Sequence, residues 1–197
     1  MTDPAPSRQS TRVSAAPAQP TPAPSTATAL DFRAVFEAEF DYVWHSLRRL
    51  GVRERDVDDL THDTFIVVYR ALDQYDPARP LRPWLFGIAS RLAANYRRRA
   101  QHRGDVMEPH TEVADPTLGA DETLAARQAT ALVLAALEVL DDDRRSLFVL
   151  HELDGVPIPE VAAALSIPLN TAYSRLRLAR EQFSAAVRRL RAARGER

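Results

Sequence analysis

The chain contains neither cysteine nor lysine. Without cysteine there is no disulfide framework, thiolate metal site or cysteine nucleophile, and a reducing, intracellular compartment fits best. Long hydrophobic runs are missing too. No apolar stretch approaches the ~20 residues needed to cross a bilayer, and the N-terminus has Asp3 and several prolines where a secretion signal needs an apolar core. A soluble, cytoplasmic protein with no membrane span is expected. There is no glycine-rich phosphate loop, and His45, His62, His102, His110 and His151 are scattered without metal-ligand spacing. No catalytic residue, metal or cofactor is therefore expected.

What is present is arginine, unevenly placed. The 197 residues carry a net charge of only −1, yet Arg97, Arg98, Arg99 and Arg103 cluster without an acid, and residues 170–197 hold eight arginines against Glu181 and Glu196. Between these basic stretches, residues 105–122 hold six acids and no base, and residues 54–63 form a second acidic stretch. Evenly solvated surfaces are not blocked in this way. The length suits two compact modules plus connecting segments, and 45% hydrophobic residues suffice for ordinary cores.

Residues 1–29 are Pro, Ala, Ser and Thr with few large apolar side chains, so they cannot offset the entropy of ordering and are expected to be a disordered tail. From Asp31, a plausible N-cap, Phe32, Val35, Phe36, Phe40, Val43, Trp44, Leu47 and Leu50 recur at helical spacing until Gly51. A second helix is expected over about 56–74, ended by Asp76-Pro77-Ala78-Arg79-Pro80, and a third over about 83–99. The acidic segment 104–121, with Pro109, Pro116 and Gly119, reads as a linker. Beyond it lie an Ala/Leu-rich helix (about 122–140), another over about 142–153, a Gly155-Val156-Pro157 break and two more helical segments. No stretch alternates with period two, so the fold class is all-α: two small helical domains, 30–103 and 122–197, joined by the linker.

The last two helices resemble a helix-turn-helix. Ile158 to Leu165 forms the short first helix with proline in its first turn, Ser166-Ile167-Pro168-Leu169 the corner, and Asn170 the expected cap of the longer second helix. Val161, Leu165, Ile167, Ala172, Leu176 and Ala179 make an internal seam. That leaves Thr171, Tyr173, Ser174, Arg175 and Arg177 facing outward, where they could reach base edges and phosphates in a major groove. One base-reading arginine is worth roughly 1–3 kcal/mol of discrimination. The competing reading is a helical hairpin with a solvated basic face. Ser166 stands where such corners commonly have Gly, so a positive φ there would carry strain.

In the second helix, Leu60, Thr64, Val67 and Ala71, with Val68 and Leu72 beside them, are the expected core face. Asp59, His62, Asp63, Ile66 and Arg70 form another stripe, with Tyr69 near it. Charges alone would favour a solvated face; Ile66 and Tyr69 favour a protein-binding one, and the acids would repel DNA. In the third helix, Trp84, Leu85, Ile88 and Leu92 suit the core, whereas Arg91, Asn95 and Arg98, with the loop 75–83, lie where a strand of DNA could be held.

Taken together, Leu50-Gly51-Val52, Asp58-Asp59-Leu60-Thr61-His62-Asp63-Thr64-Phe65, Tyr69-Arg70-Ala71-Leu72 and Arg82-Pro83-Trp84-Leu85-Phe86-Gly87-Ile88-Ala89 resemble region 2 of the extracytoplasmic-function (ECF) sigma factors. Asp154-Gly155-Val156 with the helix-turn-helix and residues 174–181 resembles their region 4. The resemblance implies a non-enzymatic factor that binds core RNA polymerase and directs promoter-specific initiation. It implies that Asp59, His62, Asp63, Ile66 and Tyr69 meet the clamp helices of the largest subunit, that Arg91, Asn95 and Arg98 hold the minus-10 element, and that the helix carrying Thr171, Tyr173, Ser174, Arg175 and Arg177 reads the minus-35 element. Region 4 would also sit on the flap of the second-largest subunit, the acidic linker would stand in for a folded region 3, and an anti-sigma factor would hold the protein inactive. Four positions depart from the usual pattern: His62 and Asp63 stand in place of Gln and Glu, Gly87 in place of Arg, and Tyr173 in place of a frequent basic residue. The alternative is a helix-turn-helix regulator that never touches core polymerase; such a protein would normally carry a ligand-binding, receiver or dimerisation domain in its N-terminal half, and none is evident.

Overall fold

The Asp31 side chain accepts a hydrogen bond from the Arg33 amide at 3.1 Å and so caps α1 (Phe32–Arg49), as its position at the head of an apolar-periodic run suggests. A computed structural model describes residues 31–102 and 123–195, all of whose regular elements are helical. The expected tail and acidic linker fall outside these residues. After α1 come α2 (Glu54–Ala71), a 3₁₀ turn (Leu72–Gln74) and α3 (Leu81–His102), then α4 (Thr123–Leu137), α5 (Asp142–Phe148) with one π turn (Val149–Leu153), α6 (Ile158–Ala164) and α7 (Leu169–Ala193). No described helix is long and apolar enough to cross a membrane.

The second helix is rotated from the sequence expectation. Its buried residues are Val57, Thr61, Thr64, Phe65 and Val68, whereas Val67 is exposed and Leu60 only half-buried. Three phenylalanines of α1 decide this. Phe36 meets Phe65 edge-on at 4.8 Å and Phe40 stacks on it at 6.1 Å, while Phe32 lies edge-on to it at 6.4 Å. Truncating so large a buried ring costs roughly 3–5 kcal/mol, so the register that buries Phe65 prevails over the one that buries Val67. The buried hydroxyls of Thr61 and Thr64 donate back to the Val57 and Leu60 carbonyls, both at 2.7 Å, which lets polar groups sit in the core.

The third helix starts two residues earlier than expected, with Pro83 in its first turn, where a missing N–H costs nothing. It buries Leu85, Phe86, Ile88, Ala89 and Ala93 against α1 and α2. In the C-terminal half, Asp141 caps α5 by accepting from the Arg144 amide at 2.8 Å. Phe148 packs on Phe183 of α7 with ring centroids 4.5 Å apart.

The helix-turn-helix corner corrects one expectation and meets another. Asn170 does not cap α7: the helix begins at Leu169, behind Pro168, with no side-chain cap. Ser166 does adopt a left-handed backbone, φ 56°. A side chain there costs roughly 1 kcal/mol relative to glycine, less what glycine loses in entropy. The variant Ser166→Gly is therefore expected to gain about 0.5 kcal/mol in urea denaturation; equal or lower stability would show that the corner stores no strain.

The two halves share one hydrophobic core, in which α3 packs on α6 and α1 on α4. At the seam, the Arg145 side chain of α5, 1% exposed, donates to the Leu50 carbonyl at 3.3 Å and the Leu140 carbonyl at 3.4 Å. It lies over Gly51, whose φ is +88° and where a Cβ would come within 2.1 Å of the Arg145 Nη1. Burial and neighbouring Arg97 push the Arg145 guanidinium down to about 9, still charged at neutral pH. Arg97, which the sequence groups with an exposed basic cluster, is instead buried and paired with Asp142.

Candidate polymerase and promoter surfaces

Because α2 turns its Phe65 side inward, its opposite face carries Asp59, His62, Asp63, Ile66, Tyr69 and Arg70, all exposed. From Asp59 to Tyr69 the stripe runs roughly 15 Å at 1.5 Å per residue. Ile66 is 49% and Tyr69 65% exposed, large apolar area that the fold itself leaves uncovered. Asp59 and Asp63 make no hydrogen bond or ion pair with the described residues, in contrast to Asp58, which accepts from the Trp44 indole at 2.7 Å. His62 is held at 2.8 Å from the Asp58 carbonyl and edge-on to Phe40, so its ring is fixed in the stripe. The five residues singled out in the sequence thus share one surface: acidic at one end, apolar at the other.

On α3, Arg91, Asn95 and Arg98 are all exposed, and Arg98 donates to the Asn95 side-chain oxygen. Asn95 and Arg98 line a shallow groove together with Arg99 and His102. These last two were not singled out, although the spacing 95, 98, 99, 102 is that of one helical face and could have flagged them. In the preceding loop, Tyr75 rests against Trp84, ring centroids 4.8 Å apart, and its hydroxyl donates to the Arg79 carbonyl. Asp76 accepts from the Ala78 amide at 3.0 Å, and a turn results in which Asp76 to Pro80 are exposed.

On α7, Ala172, Leu176 and Ala179 are buried and Val161 of α6 faces them, so the expected seam forms, with Leu165 and Ile167 at its half-buried edge. Tyr173, Ser174 and Arg177 are exposed and Thr171 is half-buried. Arg175 differs from the expectation of a fully outward side chain: it is 31% exposed and paired with Asp143 of α5 at 2.7 Å. Arg177 pairs with Glu181 at 2.7 Å and Arg180 with Glu152 at 2.6 Å. The arginines of this face are therefore oriented, and part of their charge is already balanced.

A second polar cluster lies away from these faces. Asp154 accepts from the Tyr42 hydroxyl at 2.9 Å and from Arg49 Nη1 at 2.6 Å, joining the π-turn end to α1. Burial, and then the Asp154 charge, push the Tyr42 phenol well above its ordinary range, and Tyr96, half-buried and donating to Asp56 at 2.5 Å, is pushed up to about 12. The folded chain keeps these protons while the unfolded phenols lose theirs near pH 10. Their contribution is thus complete below about pH 10 and lost as the pH rises beyond it. Urea titrations are expected to show stability falling above that point, with a shallower fall for Tyr42→Phe; parallel curves would remove Tyr42 as a source.

The class follows from the matching segments: residues 35–103 match the Sigma-70 region 2 family and residues 122–183 the Sigma-70 region 4 family. Among curated proteins, the RNA polymerase sigma factor CnrH of Cupriavidus metallidurans is 37% identical over 147 residues, covering 70% of this chain and 76% of CnrH. The ECF RNA polymerase sigma-E factor of Escherichia coli is 30% identical over 148 residues, covering 68% and 75%. The solved structure of CnrH in complex with the cytosolic domain of CnrY aligns with a TM-score of 0.56 at 30% identity, over 78% of this chain and 85% of that one. The fold is also that of the sigma factor RpoE of Bartonella quintana, solved with the anti-sigma factor NepR: TM-score 0.61, 20% identity, 80% and 97% covered. The chain belongs to the ECF family of RNA polymerase sigma factors.

Proposed function

We propose that this chain binds core RNA polymerase through the α2 stripe and directs it to promoters through two arginine-bearing helices. The observation that carries this reading is the separation of surfaces: uncompensated Asp59 and Asp63 with exposed Ile66 and Tyr69 on one face, arginines on α3 and α7 elsewhere. Asp59, His62, Asp63, Ile66 and Tyr69 meet basic and apolar side chains of the largest-subunit clamp helices, where opposite charge steers the encounter and the apolar end supplies buried area. Arg91, Asn95 and Arg98, extended by Arg99 and His102, hold the minus-10 strand by its phosphates and unstacked bases. Thr171, Tyr173, Ser174, Arg175 and Arg177 enter the major groove at minus-35. The working domains are residues 30–103 and 122–197, and region 4 also sits on the flap of the second-largest subunit.

No side chain in this scheme makes or breaks a covalent bond; the chain acts in the cytoplasm as a non-enzymatic specificity subunit. CnrH is solved with the cytosolic domain of CnrY, and we infer that this chain is likewise held by a protein partner, an anti-sigma factor. Run-off transcription with core polymerase and genomic fragments tests the reading. Discrete transcripts that require the protein are expected. Promoter DNA bound without any association with core polymerase would instead indicate a regulator of the ordinary helix-turn-helix kind.

A further inference from the structure

Two large apolar side chains stand uncovered at the head of α7. Leu169 is 43% and Tyr173 54% exposed, and a spacing of four along the helix puts them on one face with Cβ atoms roughly 6 Å apart. The fold does not need either of them there, because the seam with α6 is closed by Val161, Ala172, Leu176 and Ala179, all buried. The polar groups around the pair are already engaged. Ser174 donates to the Thr171 carbonyl at 3.0 Å, and Arg175 and Arg177 are held by Asp143 and Glu181, each at 2.7 Å. The first turn of α7 therefore offers an apolar surface beside exposed Asn170, rimmed by oriented arginines.

Size and charge choose the occupant of this surface. Two side chains one helical turn apart make a patch far smaller than the about 800 Å² that each partner buries in a stable protein interface. The cationic rim suits a polyanion. Among the groups that base pairs present in the major groove, the apolar one is the C5-methyl of thymine; the others are hydrogen-bond donors and acceptors. We propose that Leu169 and Tyr173 grip the C5-methyl group of a thymine in the minus-35 element, so that promoters of this chain carry thymine, on one strand or the other, where the first turn of α7 enters the groove. This rests on the assignment of α7 to that element, and it adds Leu169 and the kind of base that is read. The methyl group leaves water between the leucine side chain and the tyrosine ring, while the flanking arginines remain free to meet phosphate and other base edges. Cytosine at the same place has no methyl group, so it leaves the pair wet.

Deoxyuridine pairs as thymidine does and lacks only the methyl group, so it isolates the contact without altering the protein. In a promoter fragment whose transcription depends on its minus-35 element, each thymine of that element is replaced singly by uracil. The affinity of the full chain assembled with core polymerase is then measured by competition between fragments. One replacement is expected to weaken binding about fourfold, the worth of one buried methyl group. Tyr173→Ala should bind the thymine fragment more weakly and no longer distinguish it from the uracil fragment, and Leu169→Ala should lower the ratio. Tyr173→Phe, which keeps the ring, should discriminate as the wild type does; circular dichroism checks that all three variants fold. A minus-35 element without thymine on either strand, equal wild-type affinity for every uracil fragment, or undiminished discrimination by folded Tyr173→Ala would overturn the methyl contact while leaving α7 as the reader of the element. Discrimination lost in Tyr173→Phe would assign it to the hydroxyl and overturn the contact equally. If no fragment transcribed with this chain depends on its minus-35 element, the assignment of α7 fails first and takes the methyl contact with it.

Discussion

A chain carrying Asp59→Arg and Asp63→Arg is expected to lose more than a hundredfold in affinity for core RNA polymerase while keeping its fold. Neither carboxylate has an internal partner among the described residues, so reversing them removes no contact on which the helices depend. Exposed substitutions of this sort usually change stability by no more than about 0.5 kcal/mol. Against a basic partner surface, by contrast, two reversals turn attraction into like-charge contact, which costs several kcal/mol. At 1.4 kcal/mol per factor of ten, a loss of about 3 kcal/mol exceeds a hundredfold. Fluorescence titration of labelled protein with core polymerase, with circular dichroism as the control, makes the measurement. An unchanged affinity in a fully helical variant would take the α2 stripe out of the interface. Because the effect is electrostatic, the wild-type affinity should also weaken as salt rises, and the variant should show less of that dependence.

The second large effect is expected at Arg175. Its guanidinium is held 2.7 Å from Asp143 and is 31% exposed, so it is presented from a fixed position rather than as a freely moving side chain. A preoriented arginine loses less entropy on forming a bidentate contact with a guanine edge. Truncation to alanine should cost roughly 1–3 kcal/mol at the base it reads, about five- to a hundred-and-fiftyfold in transcription from a promoter that depends on its minus-35 element. A promoter recognised mainly through minus-10 should be much less affected. Asp143→Ala provides the internal comparison: with the guanidinium released, a smaller loss is expected at the same promoter. Equal transcription by wild type and Arg175→Ala from every promoter would leave the reading to Tyr173, Ser174 and Arg177.

The all-helical class, the α1 cap at Asp31 and the helix-turn-helix seam were legible because each depends on local spacing. Apolar residues three and four apart must share a face, whatever else the chain does. The α2 core stripe was misread for the opposite reason. Leu60, Val67 and Ala71 satisfy the same periodicity as Val57, Phe65 and Val68, and only the phenylalanines of α1, distant in sequence, decide between them. Asn170 was an attractive cap by type, but Pro168 already sets an extended entry to α7 and the helix starts two residues early. Asp59, Asp63, Arg91 and Arg98 were legible as exposed groups because charge marks them. Arg97 and Arg175 look identical to their neighbours in the sequence, yet one is buried against Asp142 and the other pinned to Asp143. Both partners come from α5, distant in sequence from either arginine, and no local pattern reports a pairing across that separation.

The apolar interior that passes without a break from one half to the other ties the fate of each to its neighbour. Should the halves part while no polymerase is at hand, side chains that now touch only each other would meet water, and helices that lean on one another would lose their support. Segments left that way are the ones proteases cut first. A molecule of this construction is therefore short-lived when opened and unengaged, and its abundance should follow the supply of free enzyme to bind it.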